Sequence, residues 1–141
     1  MQSNRSIPPS QVIPELGYPD VTTAAAWLCK AFGFRERLRI GNHRVQLVLG
    51  AGALVVTEAP PRDAGARAGA HGVLVRVDDV DAHCARARAA GATIAGEPQS
   101  YPYGERQYSA IDPAGHRWTF SQTVADVDPA DWGGTLVDGA R

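Results

Sequence analysis

The sequence predicts an α+β domain built from two copies of one βαβββ module. Three observations carry that reading. Tyr18-Pro19-Asp20-Val21 opens a helix-like run that closes at Phe32-Gly33-Phe34, and Val77-Asp78-Asp79-Val80 opens another that closes at Ala90-Gly91-Ala92. Each run leads on to strand-like segments, with Gly52-Ala53-Leu54-Val55-Val56 in the first copy set against Gly115-His116-Arg117-Trp118-Thr119 in the second. The copies stand about sixty residues apart and occur only twice, which suits two fused modules better than a solenoid.

Residues 11–17 read as a short strand broken at Pro14, which has no N–H to give a ladder and so marks an edge or a bulge. Asp20 is an N-cap for a helix over 21–32, with Val21, Ala24, Leu28, Ala31 and Phe32 on its apolar face and Gly33 as C-cap. Residues 35–40 and 44–49 form a hairpin about Gly41-Asn42-His43, and 53–57 a fourth strand. The stretch 59–69, rich in Ala, Gly, Arg and Pro, is a mobile linker. Residues 72–77 are apolar enough for a central strand. Asp79 caps a second helix over 80–90, with Val80, Cys84 and Ala87 inward and His83 half-solvated.

A strand starts at 92–94, and 97–103 is a loop with two prolines. Residues 107–111 then pair with 116–122 across Asp112-Pro113-Ala114-Gly115. In that turn Asp112 bonds the backbone ahead of it, Pro113 fixes φ and Gly115 supplies an angle other residues avoid. The chain thus divides into a flexible arm (1–10), one domain (11–122, modules at about 11–58 and 71–122) and a tail (123–141) in which Trp132 can fold back over the body.

Hydrophobic residues make up 44% of the chain and the formal net charge is −1, as in an ordinary soluble protein. No apolar run approaches the roughly eighteen residues of a membrane span. The sequence has no basic cluster, so it predicts no nucleic-acid partner and no membrane partner. The N-terminus lacks an apolar signal core, and Cys29 and Cys84 both fall inside helices; together they point to buried thiols in a reducing cytoplasm. No Ser or Cys sits in an elbow motif with a His partner, and Gly50-Ala51-Gly52 lacks the phosphate-loop pattern.

The segments YPDVTTAAAWLCKAFGF, VLVRVDDVDAHCARARAAGA and IDPAGHRWTF, with the strands between them, resemble the vicinal oxygen chelate superfamily over roughly residues 12–122. That superfamily contains glyoxalase I, bleomycin resistance proteins, fosfomycin resistance enzymes and extradiol dioxygenases. The Asp-Pro-x-Gly-His element followed by an aromatic strand is the most specific part. The tail motif Asp131-Trp132-Gly133 is similar to that of the PhnB-like bacterial branch.

The resemblance implies the glyoxalase/bleomycin resistance fold, in which the modules form a curved mixed sheet with a concave cleft. Family enzymes hold an iron, zinc, nickel, manganese or magnesium ion there, on as many as four ligands that are usually His, Gln or Glu. The ion acts as a Lewis acid on vicinal substrate oxygens. Carried over by position, those ligands fall on Pro14, Val56, Gly72 and Thr119, none of which suits a metal. Glu15, Glu58 and His71 lie one or two residues away and form a shifted-ligand alternative.

Strand parity sends Trp118 and Phe120 to the helix side and leaves Arg117, Thr119 and Ser121 on the cleft side. Tyr101, Tyr103, Arg106 and Tyr108 add a polar-aromatic group, either at the cleft edge or packing their own loop. His116 is expected to support its turn, and Trp27 to pack its helix or line a pocket edge.

The expected function is binding of a small hydrophobic or aromatic molecule in a metal-free cleft, with no cofactor. Val56, Thr119, Arg117, Arg106, Tyr108 and Tyr103 line that cleft, and a homodimer completes it across its interface. The alternative is a divalent-metal-dependent lyase, isomerase or dioxygenase using the shifted ligands.

Overall fold

Two four-stranded mixed sheets, each carrying one helix, are joined mainly through those helices; the computed structural model describes residues 2–59 and 71–136. The first module runs β1 (Glu15–Tyr18), α1 (Val21–Phe32), β2 (Arg35–Ile40), β3 (Arg44–Leu49) and β4 (Gly52–Glu58). The second runs β5 (Gly72–Arg76), α2 (Val80–Ala89), β6 (Thr93–Ser100), β7 (Glu105–Ile111) and β8 (Arg117–Thr123), followed by a 3₁₀ turn at Pro129–Trp132. Their sheets have the same order, β1-β4-β3-β2 and β5-β8-β7-β6, with the first strand of each module parallel to the last. The α+β architecture of two βαβββ modules is therefore present. The linker expected at 59–69 lies almost wholly outside the described residues.

Local chemistry sets the helix ends. Asp20 and Asp79 each accept a bond from the backbone N–H three residues on, from Thr23 at 3.0 Å and from Ala82 at 3.1 Å. Gly33, at φ 83°, closes α1 in the left-handed conformation that a side chain would disfavour. Arg86 on α2 then donates to the carbonyls of Lys30 (2.9 Å) and Cys29 (3.3 Å), so the second helix caps the first. The buried face of α1 uses Ala25 where Ala24 was expected, and Ala24 packs only at its margin.

Three strand expectations need correction. β1 begins after Pro14 rather than at 11, because the ladder to β4 starts with Glu15. β5 is an edge strand, not a central one: only alternate residues pack, and Gly72, Leu74 and Arg76 are exposed. Most of the loop expected at 97–103 is strand, since β6 runs through Pro98 to Ser100. Pro98 is tolerated because β6 is an edge and its register with β7 skips between Gly96 and Gln99.

The expected pairing of Val56 with Thr119 is one residue out. Leu16 stands opposite Val56 and Val75 opposite Phe120. Leu16 and Val75 each lie four residues before a capping aspartate, Asp20 and Asp79. Phe120 is thus the counterpart of Val56, and Thr119 that of Val55. Gly52 and Gly115 misalign the copies because residues 112–116 make a longer connection into β8 than residues 50–51 make into β4.

The core is aromatic and crosses the module boundary. The Phe32 ring lies 5.0 Å from Trp27, 5.1 Å from Trp118 and 4.8 Å from Phe120. Beside it, Asp112 is only 3% exposed yet fully bonded. Its Oδ2 accepts from the Tyr18 hydroxyl at 2.6 Å and the Trp118 indole N–H at 3.1 Å. Its Oδ1 accepts the backbone N–H groups of Ala114 (3.1 Å) and His116 (2.9 Å). Burial, with the Asp112 charge and hydrogen bond behind it, pushes the Tyr18 hydroxyl far above the usual phenol range, so it stays a donor. His116 does more than support its turn: its Nε2 reaches the Gly17 carbonyl of β1 at 2.7 Å.

His83 keeps part of its surface exposed, as expected, but its ring is packed. Its ring lies 4.1 Å from Phe120, with Nδ1 2.6 Å from the Tyr108 hydroxyl and Nε2 3.3 Å from the Phe32 carbonyl. A neutral imidazole that donates from Nε2 and accepts at Nδ1 satisfies both contacts.

Two stability predictions follow from these buried groups. Asp112→Ala orphans two buried side-chain donors and should cost roughly 3 kcal/mol, against about 1 kcal/mol for Tyr18→Phe, read from urea unfolding midpoints. Burial, with the Arg86 charge adding, holds the His83 pKa below the usual imidazole value against the opposing pull of the Phe32 carbonyl. The unfolded chain therefore takes up this proton more readily than the folded one. Stability from His83 is complete above about pH 6.5 and declines as pH falls through that value. Asp20 and Asp81, held low by hydrogen bonds, contribute losses only at more acidic pH. His83→Gln should flatten the stability profile between pH 7.5 and pH 5.5; an unchanged slope would show that the proton is taken up elsewhere.

Candidate functional site

On each sheet one face packs on a helix and the other turns away from it. On the second sheet Trp118, Phe120 and Tyr108 fill the helix side, so parity sends Arg117, Thr119, Gln107 and Ser109 to the open side. A depression of about 420 Å³ lies there, lined by His71, Gly72, Val73, Leu74, Gln107, Arg117 and Thr119. Its floor is a chain of polar contacts. Arg117 reaches Ser109 Oγ at 3.3 Å, and Ser109 Oγ lies 3.4 Å from Thr119 Oγ1. Gln107 donates to Ser121 at 3.0 Å and accepts from the Tyr103 hydroxyl at 3.0 Å, while Ser121 donates to Glu105 at 2.7 Å. Leu74 stands beside this network 64% exposed, an apolar contact on a hydrogen-bonding floor.

Of the predicted cleft residues, Arg117 and Thr119 meet in this depression, and Tyr103 borders it through Gln107. Tyr103 also stacks on Tyr101, with ring centroids 5.4 Å apart, and meets Trp132 of the tail at 5.3 Å, so the tail does fold back here.

Three other predicted residues face the helices instead. Val56 is fully buried beside Leu16 and Leu54, under α1. Tyr108, only 2% exposed, stacks on Phe120 and bonds His83; burial pushes its hydroxyl above the phenol range. Arg106 makes a two-point bond to Asp81 of α2, both contacts at 3.0 Å, which holds Asp81 below and Arg106 above its ordinary value. For Arg106 and Tyr108 the reason is parity: both lie an even number of residues from Ala110, which is itself in the core. For Val56 it is the one-residue frame shift.

The donors suggested for a metal do not converge. Glu15 faces away from α1 and pairs with Arg44 at 2.9 Å, whereas Glu58 stands opposite Tyr18 at the far end of β4. His71 lines the depression on the other sheet. Among the described residues no three His, Cys, Asp or Glu side chains come together as a ligand set. Of the four positions carried over, the frame correction moves Val56 to Val55, and Pro14, Val55, Gly72 and Thr119 offer no imidazole, carboxylate or thiolate, so they do not fit a transition-metal centre. Trp27 packs its helix and also borders a groove of about 250 Å³ with Tyr18, Pro19, Thr23, Ala24 and Ala114.

The open face of the first sheet holds a pair that sequence reading missed. Gln46 lies between the core residues Val45 and Leu47 and so faces away from α1, yet it is only 4% exposed. Arg37 donates to Gln46 Oε1 at 2.6 Å. It does so because the β2–β3 register jumps between Glu36 and Leu38, leaving Arg37 as the extra residue of a bulge. Simple alternation along β2 cannot place such a residue, though an Arg two residues after Arg35 in a strand rich in Arg was the available signal.

The family profile described as Glyoxalase/Bleomycin resistance protein/Dioxygenase superfamily matches residues 12–120. No curated protein matches the chain. Among solved structures, TioX from Micromonospora sp. ML1 is 36% identical, with 81% of this chain and 98% of that one aligned and a TM-score of 0.67. A glyoxalase/bleomycin resistance protein/dioxygenase family enzyme from Burkholderia phytofirmans PsJN aligns over 81% of this chain and 98% of its own at 21% identity and a TM-score of 0.66. The fosfomycin resistance protein FosX from Listeria monocytogenes covers 86% of this chain and 94% of its own at 15% identity, TM-score 0.67. The last two show the fold alone. Sheet order, repeat and profile agree: the chain belongs to the glyoxalase/bleomycin resistance protein/dioxygenase superfamily.

Proposed function

We propose that the chain binds a small hydrophobic or aromatic organic molecule on the open face of its second sheet, without a metal ion. The observation that carries this reading is the exposed Leu74 beside the Arg117–Ser109–Thr119 network: apolar contact area and fixed hydrogen-bonding groups in one depression. Ligand sites combine these two elements, the apolar surface supplying affinity and the polar groups orientation. Arg117 gives the site one cationic fork, which suits an aromatic face or an anionic substituent. The separation of Glu15, Glu58 and His71 gives the lyase, isomerase or dioxygenase alternative no shared donor set among the described residues.

A second copy of the chain completes the cleft in this proposal. Val12 and Leu74, 81% and 64% exposed, both border a depression of about 600 Å³ that also takes in Phe34 and Leu49. Apolar side chains so exposed at one groove suit burial against another subunit. The cytoplasm is the proposed location, supported by the free thiols Cys29 and Cys84; among the described residues no helix is long and apolar enough to cross a membrane.

Calorimetry of the purified protein against aromatic antibiotics and neutral aromatic hydrocarbons tests the ligand class. Arg117→Ala should weaken a bound aromatic anion by about tenfold or more, and Thr119→Glu should exclude it. Arg106→Ala, which removes only a helix-side ion pair, should leave binding intact. Equal losses from Arg106→Ala and Arg117→Ala would place the ligand elsewhere.

A further inference from the structure

The N-terminal arm lies against the Arg37–Gln46 pair and satisfies it with two successive main-chain oxygens. Arg37 Nη2 donates to the Arg5 carbonyl at 3.1 Å, and Gln46 Nε2 donates to the Ser6 carbonyl at 2.9 Å. Because Gln46 Oε1 already accepts from Arg37 Nη1, the amide is oriented with its N–H₂ outward. The guanidinium and the amide therefore present converging N–H donors to a pair of neighbouring acceptors.

Those acceptors are neutral although the site is cationic. The acid nearest in sequence, Glu36, is taken by Arg39, and Glu15, on the open face, is taken by Arg44. No carboxylate among the described residues pairs with Arg37. A carboxylate placed where the two carbonyls sit would make charge-assisted bonds, roughly twice as strong as the neutral ones it replaces.

The arm is lightly fastened. Besides the two carbonyls, it is held among the described residues by a bond from Ser10 Oγ to the Ala51 carbonyl (2.8 Å) and by the burial of Pro8. Its remaining bonds, from the backbone N–H groups of Ser6 and Ile7 to Asn4, are internal to it. Ile7 is half exposed. Beneath the arm, Gln46 and its cross-strand partner Val55 are each 4% exposed, so the polar pair sits next to apolar surface.

We propose that Arg37 and Gln46 form a binding site for the carboxylate of an organic acid, and that residues 5–8 are a displaceable internal occupant of it. This site is on the first sheet and is separate from the depression around Arg117. The ligand competes with the arm, so its apparent affinity is reduced by the fraction of molecules in which the arm is seated.

The test uses full-length protein, sodium benzoate, and benzamide as the uncharged isostere. Benzoate should bind saturably, benzamide at least about tenfold more weakly, and hydrogen exchange at the Ser6 and Ile7 amides should rise on binding. Arg37→Gln should weaken benzoate by about tenfold or more, while Arg106→Ala, which removes only a helix-side ion pair, should leave this binding unchanged. Pro8→Gly, which loosens the arm, should tighten it by about threefold or more. In the unsubstituted protein the Arg37 Nε–H resonance should move with benzoate, which gives an answer even if Arg37→Gln fails to fold. The proposal is overturned if benzamide matches benzoate, if the Arg37 resonance and the arm amides do not respond, or if neither the parent nor Pro8→Gly binds benzoate saturably. Loss of benzoate binding in Arg117→Ala but not in Arg37→Gln would assign the acid to the other sheet.

Discussion

The architecture depends on one buried carboxylate. Asp112 follows β7, and its two oxygens serve different masters: one organises the turn into β8, the other holds the Tyr18 hydroxyl of the first module and the Trp118 indole of the second. A buried charge is tolerated only when its hydrogen bonds are complete, and here they are. Because Tyr18 ends β1 and Trp118 opens β8, the same bonds fix the first strand of one module against the last strand of the other. The His116–Gly17 contact and the capping of α1 by Arg86 extend that junction. The helices are thereby committed to each other, and the other face of each sheet turns away from them.

That commitment decides where chemistry can occur. Side chains pointing toward the helices join an aromatic core in which even the polar groups are matched, as with His83 between Tyr108 and Phe32. The sheets' other faces are polar and differ between the modules. The second presents Gln107, Ser109, Arg117 and Thr119 around an exposed Leu74. The first is covered by the chain's own N-terminus over Arg37 and Gln46.

Much of the fold was legible because its signals are local. Asp20, Asp79, Gly33 and the Asp112–Gly115 turn each act within a few residues, so the helices and the closing hairpin could be read directly. The site was less legible because it depends on strand frame. Aligning Gly52 with Gly115 across unequal turns moved Val56 from the core to an imagined cleft. Arg106 and Tyr108 were read as loop and strand neighbours rather than by their register with β8. Arg37 was invisible for another reason: a bulge breaks alternation, and only the paired strand reveals it.

The central claim is that ligand chemistry resides on the sheet faces turned away from the helices. Backbone and side-chain chemical-shift mapping of isotope-labelled protein, titrated with an aromatic compound that binds it, tests this most directly. The account predicts shifts concentrated at Leu74, Gln107, Ser109, Arg117 and Thr119, with Val56, Tyr108 and Phe120 unmoved. Shifts centred on Trp27, Ala24 and Ala114, in the groove beside α1, would contradict it.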